Sequence, residues 1–285
     1  MTEIQADDLI IAAASPAGSD APRKSAWRRF EPTILGTGTI VLLLLVWQFL
    51  PEFVPMKAGT KLFFTVPSHV AGTLWTMFAT GSIWKPLGVS ASAFAIGLVL
   101  AIVAGLPLGV LLGRSATLNA MVDPFITAFN ATPRLVFLPL LMLWFGIGIW
   151  SKVAVVFLGA VFPLLINTYE GVRNADKLLI NVVRSFGAGE WDIARLVVVP
   201  NSLPFIIVGL RLAIGRAVLG VVVSEFFGSQ DGLGVMMVRA ASEFKVDIVF
   251  AGLIVFAALS LIMTGLVKLI EVRLTRWRPQ HSNAG

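Results

Sequence analysis

Apolar residues in this chain gather into runs of membrane length, and the stretches between them are polar, basic or rich in glycine and proline. A bilayer core needs about 20 apolar residues per helix. Six segments approach that length: Ile34 to Leu50, Leu87 to Gly113, Leu135 to Ile149, Val153 to Thr168, Phe205 to Phe227 and Ile248 to Ile270. The third is short and flanked by proline. Backbone polar groups in lipid must be satisfied within the segment, so the pattern predicts an all-α, multi-pass membrane protein with six transmembrane helices. Between the first two spans, Pro51 to Pro86 holds turn residues around an amphipathic piece, Val70 to Ala79, expected to lie along the outer surface.

One polar stretch has its own periodicity. Apolar residues recur at Leu178, Leu179, Val182, Val183 and Phe186, then at Trp191, Ala194 and Val198. That spacing predicts one apolar stripe on each of two short helices, broken at Gly187 and Gly189. The stretch is too charged to cross a bilayer, and an amphipathic elbow in a loop implies a soluble partner.

The second span carries small residues at every fourth position: Ala93, Gly97, Ala101, Gly105, Gly109 and Gly113. On a helix this makes a smooth groove for close approach of another helix, expected here within one subunit. Pro107 is expected to kink that helix.

Composition agrees: 57% of the 285 residues are hydrophobic and 13% charged, with a mean hydropathy of +0.87. The formal charge of +6 is distributed by side. Arg23, Lys24, Arg28 and Arg29 precede the first span, which the positive-inside rule places in the cytoplasm. Arg114, Arg134, Arg173, Lys177, Arg184, Arg195, Lys268, Arg273, Arg276 and Arg278 fall on the same side. Fewer fall outside: Lys57, Lys61, Lys85, Lys152, Arg239 and Lys245. Both termini and the elbow are therefore expected in the cytoplasm, and the basicity signals topology rather than nucleic-acid binding. The polar first thirty residues lack a cleavable leader pattern, so the first span is expected to remain as an anchor. There is no cysteine, which removes disulfides and thiol chemistry.

Enzyme chemistry fails on inventory. The histidines are His69 and His281, not in metal-ligand spacing, and no G-x-S-x-G elbow or G-x-x-x-x-G-K-[ST] loop occurs. Metal sites and cofactors on this chain are not expected, and ATP-driven work would come from another polypeptide. Intramembrane charges are then the functional candidates. Arg211 lies roughly 9 Å into the fifth span at 1.5 Å per residue, within snorkelling reach of the inner interface. Arg216 is near mid-span, either held by neighbouring helices or presented as a fixed positive charge to an anionic solute. Glu225, at the outer end, is open to a cap, gate or solute role. A stand-alone ion-coupled carrier or channel is the alternative, but the spans show no carboxylate or histidine relay and that reading leaves the elbow unexplained.

The elbow's spacing points further. Gly187 is followed, nine residues later, by Val197-Val198-Val199-Pro200. This resembles the coupling loop of membrane subunits in binding-protein-dependent ABC importers, E-A-A, three residues, Gly, nine residues, I-x-L-P. Asn181-Val182-Val183 stands where the family has Glu-Ala-Ala. Ala131-Thr-Pro-Arg134, Leu138-Pro-Leu, Trp144-Phe-Gly-Ile-Gly148, Pro163 to Gly171, Gly209-Leu-Arg211, Arg216, Ser224-Glu225 and Gly232-Leu-Gly234 are similar to the nitrate, sulfonate and taurine branch.

The resemblance implies a type I ABC importer permease fold with cytoplasmic coupling helices in a bacterial inner membrane. It divides the chain into a cytoplasmic tail (1–33), the first helix and an extracytoplasmic segment (34–85), a permease domain (86–270) with its coupling loop (177–204), and a C-terminal cytoplasmic tail (271–285). It implies a second permease copy, cytoplasmic ABC ATPase subunits that carry the ATP and Mg, an extracytoplasmic solute-binding protein and the surrounding lipid as partners. Coupling is implied at Asn181, Val182, Val183, Gly187, Ala188, Gly189, Pro200 and Pro204, with Asn201 or Ser202 capping the fifth helix and Pro204 in its first turn. Arg216 and Glu225 are the candidate pathway residues. The implied solute is small, polar and anionic, of the sulfonate, taurine, nitrate or carboxylate type.

Overall fold

A computed structural model describes residues 26–54, 57, 59 and 63–274. The tail through residue 25 with Arg23 and Lys24, then Lys61, and the tail from residue 275 with Arg276, Arg278 and His281 lie outside the described residues. Among the described residues every regular element is helical. Five helices among the described residues are long and apolar enough to cross a membrane.

The first, α1 (Ala26–Phe53), belongs to a unit of its own, Met1–Pro55. Its apolar part, Ile34–Phe53, matches the first expected span.

The second unit starts at Met56. Helix α2 (Pro67–Ala79) is the expected amphipathic piece, with Val70 and Met77 buried, and is tied to the start of α11 (Val246–Leu274) by Thr73 Oγ1 donating to Asp247 at 2.7 Å. The core is built from α3 (Trp84–Arg114), α6 (Ile149–Arg173) and α9 (Val199–Gly228).

The small-residue groove of α3 is filled by α6. Gly97 meets Val156, Gly105 meets Leu164, Gly109 meets Thr168 and Gly113 meets Val172, a constant register that makes the two helices parallel. A methyl added at Gly97 would stand 2.5 Å from Val156 Cγ1, so only hydrogen fits. Lipid offers no hydrophobic drive for association, and close backbone contact supplies dispersion energy instead. On its other side α6 receives α9 in the opposite direction: Gly171 meets Ser202, Gly209 meets Asn167, and Gly159 meets the Arg216 carbonyl. Helix α3 runs unbroken through Pro107. The buried hydroxyl of Thr168, at the α3–α6 seam, has no hydrogen-bond partner among the described residues.

Because α3 and α6 are parallel, the chain between them must cross back. This third crossing differs from the expected Leu135–Ile149. It is made in pieces: α4 (Ala116–Ala131), a 3₁₀ turn at Arg134–Phe137, and α5 (Leu138–Phe145). Pro133 and Pro139 have no N–H to continue a ladder, and Gly146 takes a φ of +74° after α5. Arg134, expected among the inner-loop charges, begins the mid-crossing turn instead.

The fifth span also begins earlier than expected. Short helix α8 (Glu190–Ile193) runs through a π turn at Ala194–Val198 directly into α9, giving one helix from Glu190 to Gly228. Asn201 and Ser202 therefore do not cap it. Asn201 donates to the Asn174 carbonyl at 3.3 Å, and Ser202 is buried against Gly171, its hydroxyl donating to Val199 O at 3.0 Å. Pro204 is interior to the helix rather than in its first turn. The wider turn accommodates Pro200, with Val199 N–H reaching back five residues to Ala194 O. Helix α10 (Leu233–Ser242) follows and packs on α11, where Gly252 leaves room for Met237.

Candidate functional site

The elbow hangs on the α3–α6–α9 core by its inner side. Helix α7 (Lys177–Ser185) is capped by Asp176, whose carboxylate accepts from Leu178 N at 2.8 Å and Leu179 N at 3.4 Å. It ends in a Schellman turn: Gly187 N donates to Arg184 O at 3.0 Å and Ala188 N to Val183 O at 3.3 Å. Gly187 takes a φ of +85°, where a side chain is strained. Gly189 then opens α8, its N–H donating to Asp192 at 3.2 Å.

The single expected stripe divides into two faces. Ile180, Val183 and Ala188 turn inward onto a cluster of Val172, Ala175, Ile193 and Val198, reaching Val110 of α3. Leu178, Leu179, Val182, Phe186 and Trp191 point away and are exposed, Phe186 by 87%. Asn181 is on the exposed side. Of the second expected stripe, Trp191 is thus outward while Ala194 and Val198 are buried. Glu190, not anticipated from sequence, ties the elbow together: its carboxylate pairs with Arg184 at 2.9 Å and with Arg114, the last residue of α3, at 3.1 Å. Its position just after the Gly187–Gly189 break, among arginines, was the available signal.

At the opposite end of α9 lies a buried ionic cluster. Glu225, a candidate pathway residue, is buried here, 2% exposed. Its Oε1 is 3.1 Å from Lys152 Nζ at the start of α6. The Ser90 hydroxyl of α3 donates to the same carboxylate at 2.7 Å and accepts from Leu233 N–H at 2.9 Å. Gly234 N–H donates to Oε2 at 2.7 Å, and Lys152 also donates to the Asp231 carbonyl. Gly232, at φ +136°, presses directly on the carboxylate, where any β carbon would collide. The Gly232-Leu-Gly234 turn is thus a mould around Glu225. Lys152 was expected to be an outer-surface charge; its opposite sign at the same depth as Glu225 was the clue to the pairing.

Arg216 occupies mid-span. It is exposed and lines a cleft of ≈ 380 Å³ with Asn130, Thr132, Pro133, Gly159 and Val223. Helix α4 stops at Ala131, and this break brings Asn130 and Thr132 to the cleft wall. Among the described residues no carboxylate pairs with Arg216. Arg211, by contrast, pairs with Glu271 of α11 at 2.7 Å. Among the described residues no cluster of His, Asp and Glu could hold a metal ion.

A helical bundle of membrane-length spans, with a charged mid-span cleft and an apolar elbow at one end, defines a multi-pass membrane permease. Residues 105–276, more than half of the chain, match the family described as binding-protein-dependent transport system inner membrane component. This chain belongs to that family, the permease subunits of ABC importers. Its relatives include the taurine transport system permease protein TauC of Escherichia coli, 30% identical with 89% of this chain and 93% of that one covered. The putative aliphatic sulfonates transport permease protein SsuC of Bacillus subtilis is 32% identical, with 91% and 93% covered. The resemblance to the nitrate, sulfonate and taurine branch is thereby borne out. The fold is shared with an inward-facing structure of the MetNI methionine ABC transporter, at a TM-score of 0.58 and 20% identity, covering 67% of this chain and 97% of that one. The chain is a transport subunit, not an enzyme.

Proposed function

We propose that this permease, paired with a second copy, forms the pathway of an ATP-driven importer for a small organic anion of the sulfonate or taurine type. The carrying observation is the elbow: Leu178, Leu179, Val182, Phe186 and Trp191 form an exposed apolar face held on a scaffold that is otherwise buried or ion-paired. A face of this kind suits helix-in-groove docking by a cytoplasmic ATPase, which carries the ATP and Mg. Asn181, beside this face, supplies an uncharged hydrogen-bonding group where the coupling-loop pattern it resembles has glutamate. Gly187, Ala188 and Gly189 set the turn, and Pro200 and Pro204 lie in the helix that leaves it.

The lysine and arginine bias supports a cytoplasmic elbow and cytoplasmic termini. ATP-driven closure draws two elbows together, and each core follows as a rigid body, switching the pathway between faces. An external binding protein delivers the solute. Arg216 supplies fixed positive charge in the cleft, complementary to a sulfonate, nitrate or carboxylate, and names of relatives that carry taurine and aliphatic sulfonates support that class.

The full chain is tested in liposomes with its ATPase and binding protein, using radiolabelled taurine. ATP-dependent accumulation is the expected result. Accumulation by the permease alone, without ATPase or ATP, overturns the proposal.

A further inference from the structure

A second charged cleft lies at the elbow end, away from Arg216. It has a volume of ≈ 320 Å³ between α3, α4 and α6, and its polar lining is Arg114, Asn119, Tyr169 and Arg173. Arg173 is held in place by its neighbour on the same helix face: Nη1 donates to Tyr169 OH at 2.7 Å, and the guanidinium lies 5.8 Å from the ring centroid. No carboxylate among the described residues forms an ion pair with Arg173. Arg114 spends part of its charge on Glu190. Asp123 lies one turn further along α4 than Asn119 and is not in the lining, so two guanidinium groups set the charge of the cleft itself.

Depth decides what such a cleft can hold. Arg114 is the last residue of α3 and Arg173 the last of α6, so both stand where two apolar spans end. On α3, Leu108 stands one turn before the lining residue Leu112 and Leu111 one turn before Arg114, and both are exposed. Cationic groups above an apolar wall match a molecule with an anionic head and hydrocarbon chains. A free inorganic anion would use the arginines but leave the apolar wall without a role.

We propose that this cleft binds the phosphate of an anionic phospholipid, with Arg173 as its principal cation and the acyl chains along Leu108 and Leu111. Basic pockets between membrane helices at the inner interface are suited to such headgroups. The site shares Arg114 with the elbow's Glu190, so an occupied cleft buttresses the joint between α3 and the elbow.

The test uses the full chain in mild detergent, titrated with phosphatidylglycerol or with phosphatidylcholine of the same chains, and read by native mass spectrometry. Preferential retention of phosphatidylglycerol is expected, falling about fivefold in Arg173→Gln, the effect of one basic residue at a lipid surface. Arg173→Lys retains most of it. Equal retention of the two lipids by the unaltered chain overturns the proposal, and this arm stands even where a variant fails to fold. Unchanged preference in Arg173→Gln also overturns it. Displacement of the lipid by inorganic phosphate alone reassigns the cleft to a free anion and so refutes the lipid assignment.

Discussion

Lys152 and Glu225, 73 residues apart in sequence, form an ion pair at 3.1 Å in which each residue is 2% exposed. Such a pair is balanced only while both partners and their hydrogen bonds are present. Removing one strands the other. Glu225→Gln or Lys152→Met alone should therefore destabilise the chain by about 3–5 kcal/mol, and combining them should recover part of the loss. Thermal unfolding in detergent across the full double-variant cycle measures this. Strictly additive losses would show that the two groups are not coupled.

Gly109 separates α3 from Thr168 of α6, and a β carbon there would lie 2.8 Å from the Leu165 carbonyl oxygen. A backbone neighbour cannot move aside as a side chain can. Gly109→Ala should cost about 1–3 kcal/mol through overpacking. Gly88→Ala, where nothing lies within 4 Å, is the matched control on the same helix. Equal thermal stability for the two variants would mean that the groove is slack.

Thr168 buries a hydroxyl that has no partner among the described residues. Valine has nearly the same shape and no hydroxyl to satisfy. Thr168→Val should leave stability unchanged or raise it by up to about 1–3 kcal/mol, the desolvation cost of an orphaned polar group. A lower melting temperature would reveal a hydrogen bond made by that hydroxyl in the working protein.

Phe186 is exposed on the elbow and contributes nothing to its inner cluster. Phe186→Ser should leave melting unchanged while reducing co-purification of the ATPase. Gly187→Ala acts differently, because a β carbon at φ +85° strains the Schellman turn by roughly 1–2 kcal/mol. Membrane insertion should persist in both. Undiminished ATPase recovery with Phe186→Ser would remove the outer face from the docking surface.

Arg216→Gln should lower transport of a sulfonate without changing melting or ATPase recovery, since no carboxylate among the described residues depends on that arginine. Initial uptake rates across a solute series that includes an uncharged analogue provide the check. Equal losses for charged and uncharged solutes would make Arg216 a packing residue.

The α3 groove was legible because a four-residue spacing of small side chains has one geometric meaning on a helix, and Gly97 to Gly113 meet α6 along its length. The third crossing was not. Hydropathy treats Leu135–Ile149 as one run, whereas two prolines and Gly146 divide the crossing into helices too short to register. On α7, an apolar stripe was visible, but apolar residues on adjoining faces look alike until the core declares which of them it covers. Val183 turned in and Val182 out for that reason. The Asn201 and Ser202 caps failed because the helix starts before them: a π turn carries it past Pro200, and Pro204 is taken into its interior. Lys152 and Glu225 were each visible as charges near span ends; their union depends on how α6 and α9 align.

The uninterrupted run from Glu190 to Gly228 covers 39 residues, a rod of roughly 58 Å at 1.5 Å per residue. One end carries the ion pairs of Glu190 and the other the buried carboxylate of Glu225. If the elbow is the docking surface proposed above, a displacement applied there reaches the Glu225 cluster along one continuous helix, without relay through side-chain contacts. The compliant part of the shaft is then its elbow end, where the π turn at Ala194–Val198 is followed by Pro200 and Pro204, each lacking a backbone N–H.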